Sequence, residues 1–419
     1  MKILVDMAMP YWLNFFGTLG EIIGFNAGDL SIDEAGQLHI EDLIPHLSET
    51  ECLLVRSTTK VNEALLAKMP NLKFVATATA GYDHLDIDAL EAKGIEWYAA
   101  GGCNAQAVSQ YVVCAMLFLA TEDNFLIKDK VVAVVGNGNV GGKVAAAASA
   151  LGAAVIIYDP PQEYEDKKNA HLNTIKNCTT SYATFEEVLE ADIICLHAPF
   201  NSHSAFPSKH MFDAEALGSL TNTQYLINAG RGELVDNKAL LSLKQKQDSM
   251  SVNVVLDVWE NEPNVMTSLI PFLRLVSAHI AGHSLEGKAN GTAMLYTELC
   301  RVFEIEGNVA LDKLLPDYDA LVPVVIAEAL QQISYTDEYE TQNLIKKLCH
   351  FVYDIRNDDR VFRHHMSQFK SFAKLRQEYP IRREFSALDM AVLQTKTSKL
   401  LQGIGFIISN DGTTPLLIK

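Results

Sequence analysis

The sequence has no uncharged apolar run long enough to cross a bilayer. Its longest, VAAAASALGAAVIIY at 144–158, falls short of the roughly 18–20 residues needed and is interrupted at Gly152. Positive charge is also scarce, with 34 Lys and Arg against 52 Asp and Glu and a formal net charge of −18. Such a balance repels a phosphate backbone or an anionic membrane surface, so neither nucleic acid nor membrane is expected as a partner. The seven cysteines are odd in number and scattered, without a C-x-x-C pair. That argues against a disulfide scaffold or a zinc site, and no metal is expected. The start, MKILVDMAMP, meets Asp6 and Pro10 before a signal core could form. These absences predict a soluble, cytoplasmic protein. At 419 residues it exceeds the size, about 250–300 residues, at which single cores split, so two or three domains are expected.

What is present is a series of short, β-branched apolar runs separated by helix-length segments, the pattern of parallel strands buried on both faces. KILVD (2–6), CLLVRS (52–57), KFVATATAG (73–81) and IEWYAAG (95–101) read as strands of one α/β lobe. KVVAVVG (130–136), AAVIIYD (153–159), DIICLHA (192–198), QYLINAG (224–230), VVLDVW (254–259) and LVSAHIAG (275–282) read as strands of a second. Helical runs at 104–123 and 284–305 connect and return the chain. The expected fold class is α/β, two doubly wound parallel-sheet lobes followed by a small α+β segment. The expected boundaries are 1–107 completed by 284–310, then 108–283, then 311–419.

In the second lobe a strand runs into GNGNVGG, with Gly136, Gly138 and Gly141 in the three positions of G-x-G-x-x-G and a helix following. The first glycine suits a tight turn, the second a close approach to pyrophosphate, and the third packing of helix on strand. Asp159 ends the next strand, about 20 residues on, where an acid accepts ribose hydroxyls and disfavours a 2′-phosphate. This predicts NAD rather than NADP. Ligands of open α/β sheets collect at the carboxyl ends of the strands. There the sequence places Gly136, Asp159, His197 with Ala198, Arg231, Asp257 and His279. In LINAGRGELVD, Gly230 and Gly232 flank Arg231. That pattern suggests backbone that closely approaches a ligand, and an anionic ligand.

The pieces TATAGYDHLD, GNGNVG, YDP, INAGRGELVD, DVWENEP and SAHIAG, in this order, resemble the D-isomer-specific 2-hydroxyacid dehydrogenase family. The resemblance implies a Rossmann-type nucleotide domain, a flavodoxin-like substrate domain and a catalytic group of Arg231, Glu262 and His279. His279 would be the base, Glu262 would orient it, and Arg231 would fork onto a substrate carboxylate. It further implies that Gly136, Gly138, Asn139, Val140, Gly141, Asp159, Ala198, Ala229, Gly230, Arg231, Asp257 and Gly282 line NAD. Ser57, Thr79 and His283 would hold the substrate. The tail, with HFVYDIRNDDRVF and KLRQEYPIRREFSAL, resembles the C-terminal dimerisation domain of one branch of that family. This implies a homodimer and a small phosphorylated 2-hydroxy acid as substrate. Arg56 and Lys60 flank Ser57 and are expected to contact the phosphate, with Arg382 and Arg383 as candidates reaching across a dimer. The chain departs from the family pattern at His283 (a Tyr there), Ala198 (a Thr), Gly101 (a Pro) and Gln110 (an acid). His197 and His283 are rival bases.

Overall fold

Continuous apolar stretches with little room for polar atoms become the inner strands of two sheets. The computed structural model describes residues 1–26, 29–30, 43–169, 182–202, 205–247, 251–317, 337–390 and 395–408. These form two compact units, Met1–Asn104 with His283–Asp317, and Ala105–Gly282 with Tyr318–Lys419.

In the first unit, β1 (Lys2–Asp6), β2 (Glu21–Phe25), β3 (Cys52–Val55), β4 (Phe74–Thr77) and β5 (Glu96–Ala99) form a parallel sheet in the order β2-β1-β3-β4-β5. This is the flavodoxin-like order, with its switch point between β1 and β3. β2 was not anticipated. Its sequence EIIGF starts at an exposed Glu21 and lies at the sheet edge, so it lacks the continuous burial of its neighbours. Gly24 is kept small by Met7, whose Cγ and Sδ would lie 2.6 Å from an added Cβ. The helix Leu285–Val302 starts at Ser284, whose hydroxyl accepts the Gly287 N–H at 2.9 Å. Its Gly291 rests on the end of β4, where an added Cβ would lie 2.6 Å from Ala78 O.

In the second unit, β6 (Val131–Val135), β7 (Ala154–Tyr158), β8 (Ile193–Leu196), β9 (Tyr225–Asn228), β10 (Asn253–Leu256) and β11 (Leu275–Val276) are parallel in the order β11-β10-β9-β8-β6-β7. Here the switch point falls between β6 and β8. β11 stops at Val276, short of the expected 282. The buried Asp257 draws the next segment out of the ladder, accepting the N–H groups of Ile280 at 2.8 Å and Ala281 at 3.0 Å.

The helix Ala105–Glu122 is buried almost all round because the C-terminal segment covers the side that would face water. The Cys114 thiol donates to Tyr353 O, and the wholly buried Gln110 accepts the Phe385 N–H at 3.0 Å. Phe362 stacks on Trp259 with centroids 5.3 Å apart. The segment expected as a separate third domain, 311–419, thus shares the core of the second unit in its described helices Glu338–Val352, Ile355–Gln368 and Phe372–Gln377. A two-stranded parallel pair, β12 (Asp389–Met390) with β13 (Ile407–Ile408), completes it. Residues 318–336, 391–394 and 409–419 of that segment lie outside the described residues. The six described cysteines are buried and form no disulfide. No helix among the described residues is long and apolar enough to cross a membrane.

Candidate active site

The glycine turn after β6 divides by what surrounds each residue. Gly136 has φ +89°, and an added Cβ would lie 2.6 Å from Ala198 N. At Gly141 it would lie 1.8 Å from Gly136 O, so no side chain fits between helix Asn139–Ala150 and the turn. Gly138 faces nothing within 4 Å, and no side chain caps the helix that begins beside it. Two glycines are therefore required by the protein's own packing. The third keeps an open cradle at a helix N-terminus, which fits a pyrophosphate. Asn139 and Val140 open that helix. Asp159 is anchored to the same turn, accepting Asn137 N at 2.6 Å and Gln162 N at 3.1 Å. A carboxylate held there suits the ribose hydroxyls of NAD.

After β9 the wholly buried Asn228 pins the next loop, donating to Arg231 O at 2.9 Å and accepting Gly230 N at 3.1 Å. The glycines flanking Arg231 have a different reason from the expected ligand approach. A Cβ on Gly230 would lie 2.9 Å from Leu196 O, and one on Gly232 would lie 2.0 Å from the Trp259 carbonyl. Protein backbone, not ligand, excludes side chains there. The Arg231 guanidinium donates to Gly230 O at 3.0 Å and forms no ion pair among the described residues, which leaves its charge for an external anion. Ala229 is half-buried beside it.

His279 sits in left-handed backbone, φ 56°, with its N–H on Asp257 O at 2.7 Å. Its Nδ1 lies 2.8 Å from Glu262 Oε2, while Glu262 Oε1 accepts Trp259 N at 2.8 Å. A carboxylate only accepts, so Nδ1 carries a proton, and it is Nε2 that presents the lone pair of the neutral form of the ring. Nε2 has no partner among the described residues. Asp257, expected to line the cofactor, spends its carboxylate on Ser277 Oγ, Ile280 N and Ala281 N and so shapes this loop. Two C-terminal arginines hold the same loop by its carbonyls: Arg376 Nε donates to His279 O at 3.3 Å, and Arg382 Nη2 to Ala281 O at 2.8 Å. Arg382 also donates to Ala107 O at 2.7 Å and stacks over Tyr353, so this candidate for a trans site is committed within its own chain. Gly282 follows, half-buried.

His197 does not compete as base. Both ring nitrogens are buried without a partner among the described residues, and burial pushes its pKa down to about 3. His210, Asp236 and Glu260 come close enough to hold a cation, yet Glu260 accepts His210 Nε2 and Asn237 N while Asp236 caps the helix at Asn237–Gln247.

In the first unit, Arg56 at the β1/β3 switch point donates to the fully buried Asp6 at 3.0 Å, which offsets much of the charge expected for a phosphate. Ser57 and Lys60 are exposed, and Lys60 forms no ion pair among the described residues. Thr79 follows β4, half-buried, within a chain of hydrogen bonds. His283 Nε2 lies 2.6 Å from Lys288 Nζ, where the ammonium can only donate. Lys288 was missed in the sequence. Its only signal is its place in the second turn of the helix that Ser284 caps.

Residues 120–284 match the model described as D-isomer specific 2-hydroxyacid dehydrogenase, NAD binding domain, and residues 324–405 match a domain of unknown function. The chain is similar to proteins named erythronate-4-phosphate dehydrogenase. One from Psychromonas ingrahamii is 38% identical over 97% of this chain and 96% of that one. One from Proteus mirabilis is 40% identical over 97% of this chain and 99% of that one. Among solved structures, D-lactate dehydrogenase from Aquifex aeolicus with NAD and lactic acid shares the fold at 20% identity and TM-score 0.53, covering 73% of this chain and 96% of that one. NAD+-bound 3-phosphoglycerate dehydrogenase from Entamoeba histolytica does so at 19% identity and TM-score 0.54, covering 74% and 98%.

Proposed function

Because this chain belongs to the erythronate-4-phosphate dehydrogenase family, within the D-isomer-specific 2-hydroxyacid dehydrogenases, we propose that it oxidises 4-phospho-D-erythronate with NAD. The product is (R)-3-hydroxy-2-oxo-4-phosphooxybutanoate, formed on the way to pyridoxal 5′-phosphate, vitamin B6. The observation that carries the mechanism is the 2.8 Å contact between His279 Nδ1 and Glu262, which fixes a lone pair at Nε2.

Bound NAD supplies the acceptor for the C2 hydride. His279 Nε2 takes the C2 hydroxyl proton, and imidazole is the side chain suited to that exchange near neutral pH. Glu262 holds the ring in the required tautomer and stabilises the imidazolium that forms. Arg231, with no internal counter-ion among the described residues, forks onto the substrate carboxylate and polarises the developing carbonyl. The open face of Gly138 receives the pyrophosphate and Asp159 the ribose hydroxyls. Ser57 and Thr79 hold the substrate, and Lys60 and Lys288 supply charge for its phosphate. The protein works in the cytoplasm as a homodimer.

The test is NADH formation from NAD⁺ with 4-phospho-D-erythronate, beside 3-phospho-D-glycerate. A 2-keto acid in a second series keeps slow NADH release from masking turnover. Selective oxidation of the erythronate is expected. Preference for the glycerate, or oxidation of neither while NADH binds, would overturn the reading.

A further inference from the structure

The hydrogen bonds around Thr79 have a fixed direction. Thr79 Oγ1 lies 2.9 Å from Gly81 O, 2.8 Å separates it from Thr77 Oγ1, and His84 Nε2 lies 2.9 Å from Thr77 Oγ1. A carbonyl oxygen only accepts, so the single hydroxyl proton of Thr79 goes to Gly81. Thr77 must then supply the proton of the bond between the two threonines. With that proton spent, Thr77 offers only a lone pair to His84, whose Nε2 must carry a hydrogen. His84 donates to Thr77, Thr77 to Thr79, and Thr79 to Gly81.

The consequence is felt at the ligand. Thr79 is half-buried at the carboxyl end of β4, where ligands of such sheets collect, and it has a lone pair left but no proton. It repels the oxygens of a phosphate or carboxylate, which only accept. Ser57, exposed next to β3, has no such commitment among the described residues. On the reading that the substrate is 4-phospho-D-erythronate, the molecule has two donors, its C2 and C3 hydroxyls. The C2 hydroxyl proton is the one that His279 removes. The geometry points to Thr79 as the acceptor that recognises the C3 hydroxyl of the substrate, with His84 as the positioning residue that sets its polarity through Thr77. Burial lowers the pKa of His84, which keeps its ring neutral and makes the choice of tautomer decisive. A 2-hydroxy acid without a hydroxyl at C3 leaves this acceptor unpaired, so the residue selects between substrates otherwise alike at carboxylate, C2 and phosphate.

The test compares kcat/KM for 4-phospho-D-erythronate and for 2-hydroxy-4-phosphooxybutanoate of the same C2 configuration, which lacks only that hydroxyl. A site that hydrogen-bonds a substrate hydroxyl discriminates strongly against its absence, and about 100-fold is expected at this partly exposed position. Thr79→Val should bring the ratio to within about 3-fold, chiefly by slowing the erythronate. Thr79→Ser should keep it. His84→Gln retains a donor and should preserve discrimination, whereas His84→Leu should lower it, a contrast that a purely structural role would not produce. The His84 pair also decides the matter if Thr79→Val does not fold. Equal use of both substrates by the wild type, or undiminished discrimination in Thr79→Val and His84→Leu, would overturn the inference. Oxidation of neither compound would instead remove the substrate reading on which it rests.

Discussion

At the scale of single residues, Glu262 and Asp159 each do two things at once. Glu262 uses one oxygen on Trp259 N and the other on His279 Nδ1, so its backbone bond fixes where the bond to His279 is made. Glu262→Gln can still bond to the loop, but it removes the charge that stabilises the imidazolium. Turnover should fall by about 10²-fold or more with NADH affinity unchanged, as steady-state kinetics beside a fluorescence titration would show. Asp159 is tied to Asn137 N and Gln162 N, and so presents its carboxylate in a fixed place. Asp159→Ala should erase the preference for NAD over NADP, read as a ratio of kcat/KM values. A wild type that uses both cofactors equally would contradict the assignment. Arg231, Glu262 and His279 could be named as candidates because three local motifs carry them, and the structure brings Glu262 and His279 into contact. Arg376 and Arg382 were not legible as supports of the His279 loop, because their bonds join residues about one hundred positions apart.

At the scale of elements, the glycines of the β6 turn separate folding from binding. Gly138→Ala meets open space and should melt like the wild type without cofactor while weakening NADH by at least about tenfold. Gly141→Ala and Gly232→Ala would drive a Cβ into backbone at 1.8 and 2.0 Å, and should lower the melting temperature or abolish folding. Comparable stability in all three variants would contradict this division. The inner strands were legible because parallel strands buried on both faces are continuous apolar runs. β2 was not, since an exposed edge strand with a glycine has no such signature. Nor could the early end of β11 be read, because the cause is the buried carboxylate of Asp257, which lies on another segment.

For the whole molecule, His197 links stability to pH. It is neutral when folded, with its pKa pushed from 6.5 to about 3, whereas the unfolded chain takes up a proton below about 6.5. The unfolded state binds more protons, so stability falls as pH drops from 6.5 towards 3. The loss reaches about 2 kcal/mol by pH 5. Between pH 7.5 and 5, His197→Leu should lose less melting temperature than the wild type; equal losses would contradict the buried neutral ring. The proposed homodimer predicts a solution mass twice the 46.2 kDa of one chain by light scattering.

The central claim is that His279, oriented by Glu262, takes the substrate proton. The most direct measurement is turnover of His279→Ala with 4-phospho-D-erythronate and NAD⁺, alongside an NADH binding titration of the same protein. A loss of about 10²-fold to 10⁴-fold in kcat with NADH affinity preserved is expected. Wild-type turnover in that variant would contradict it and return the role of base to another residue.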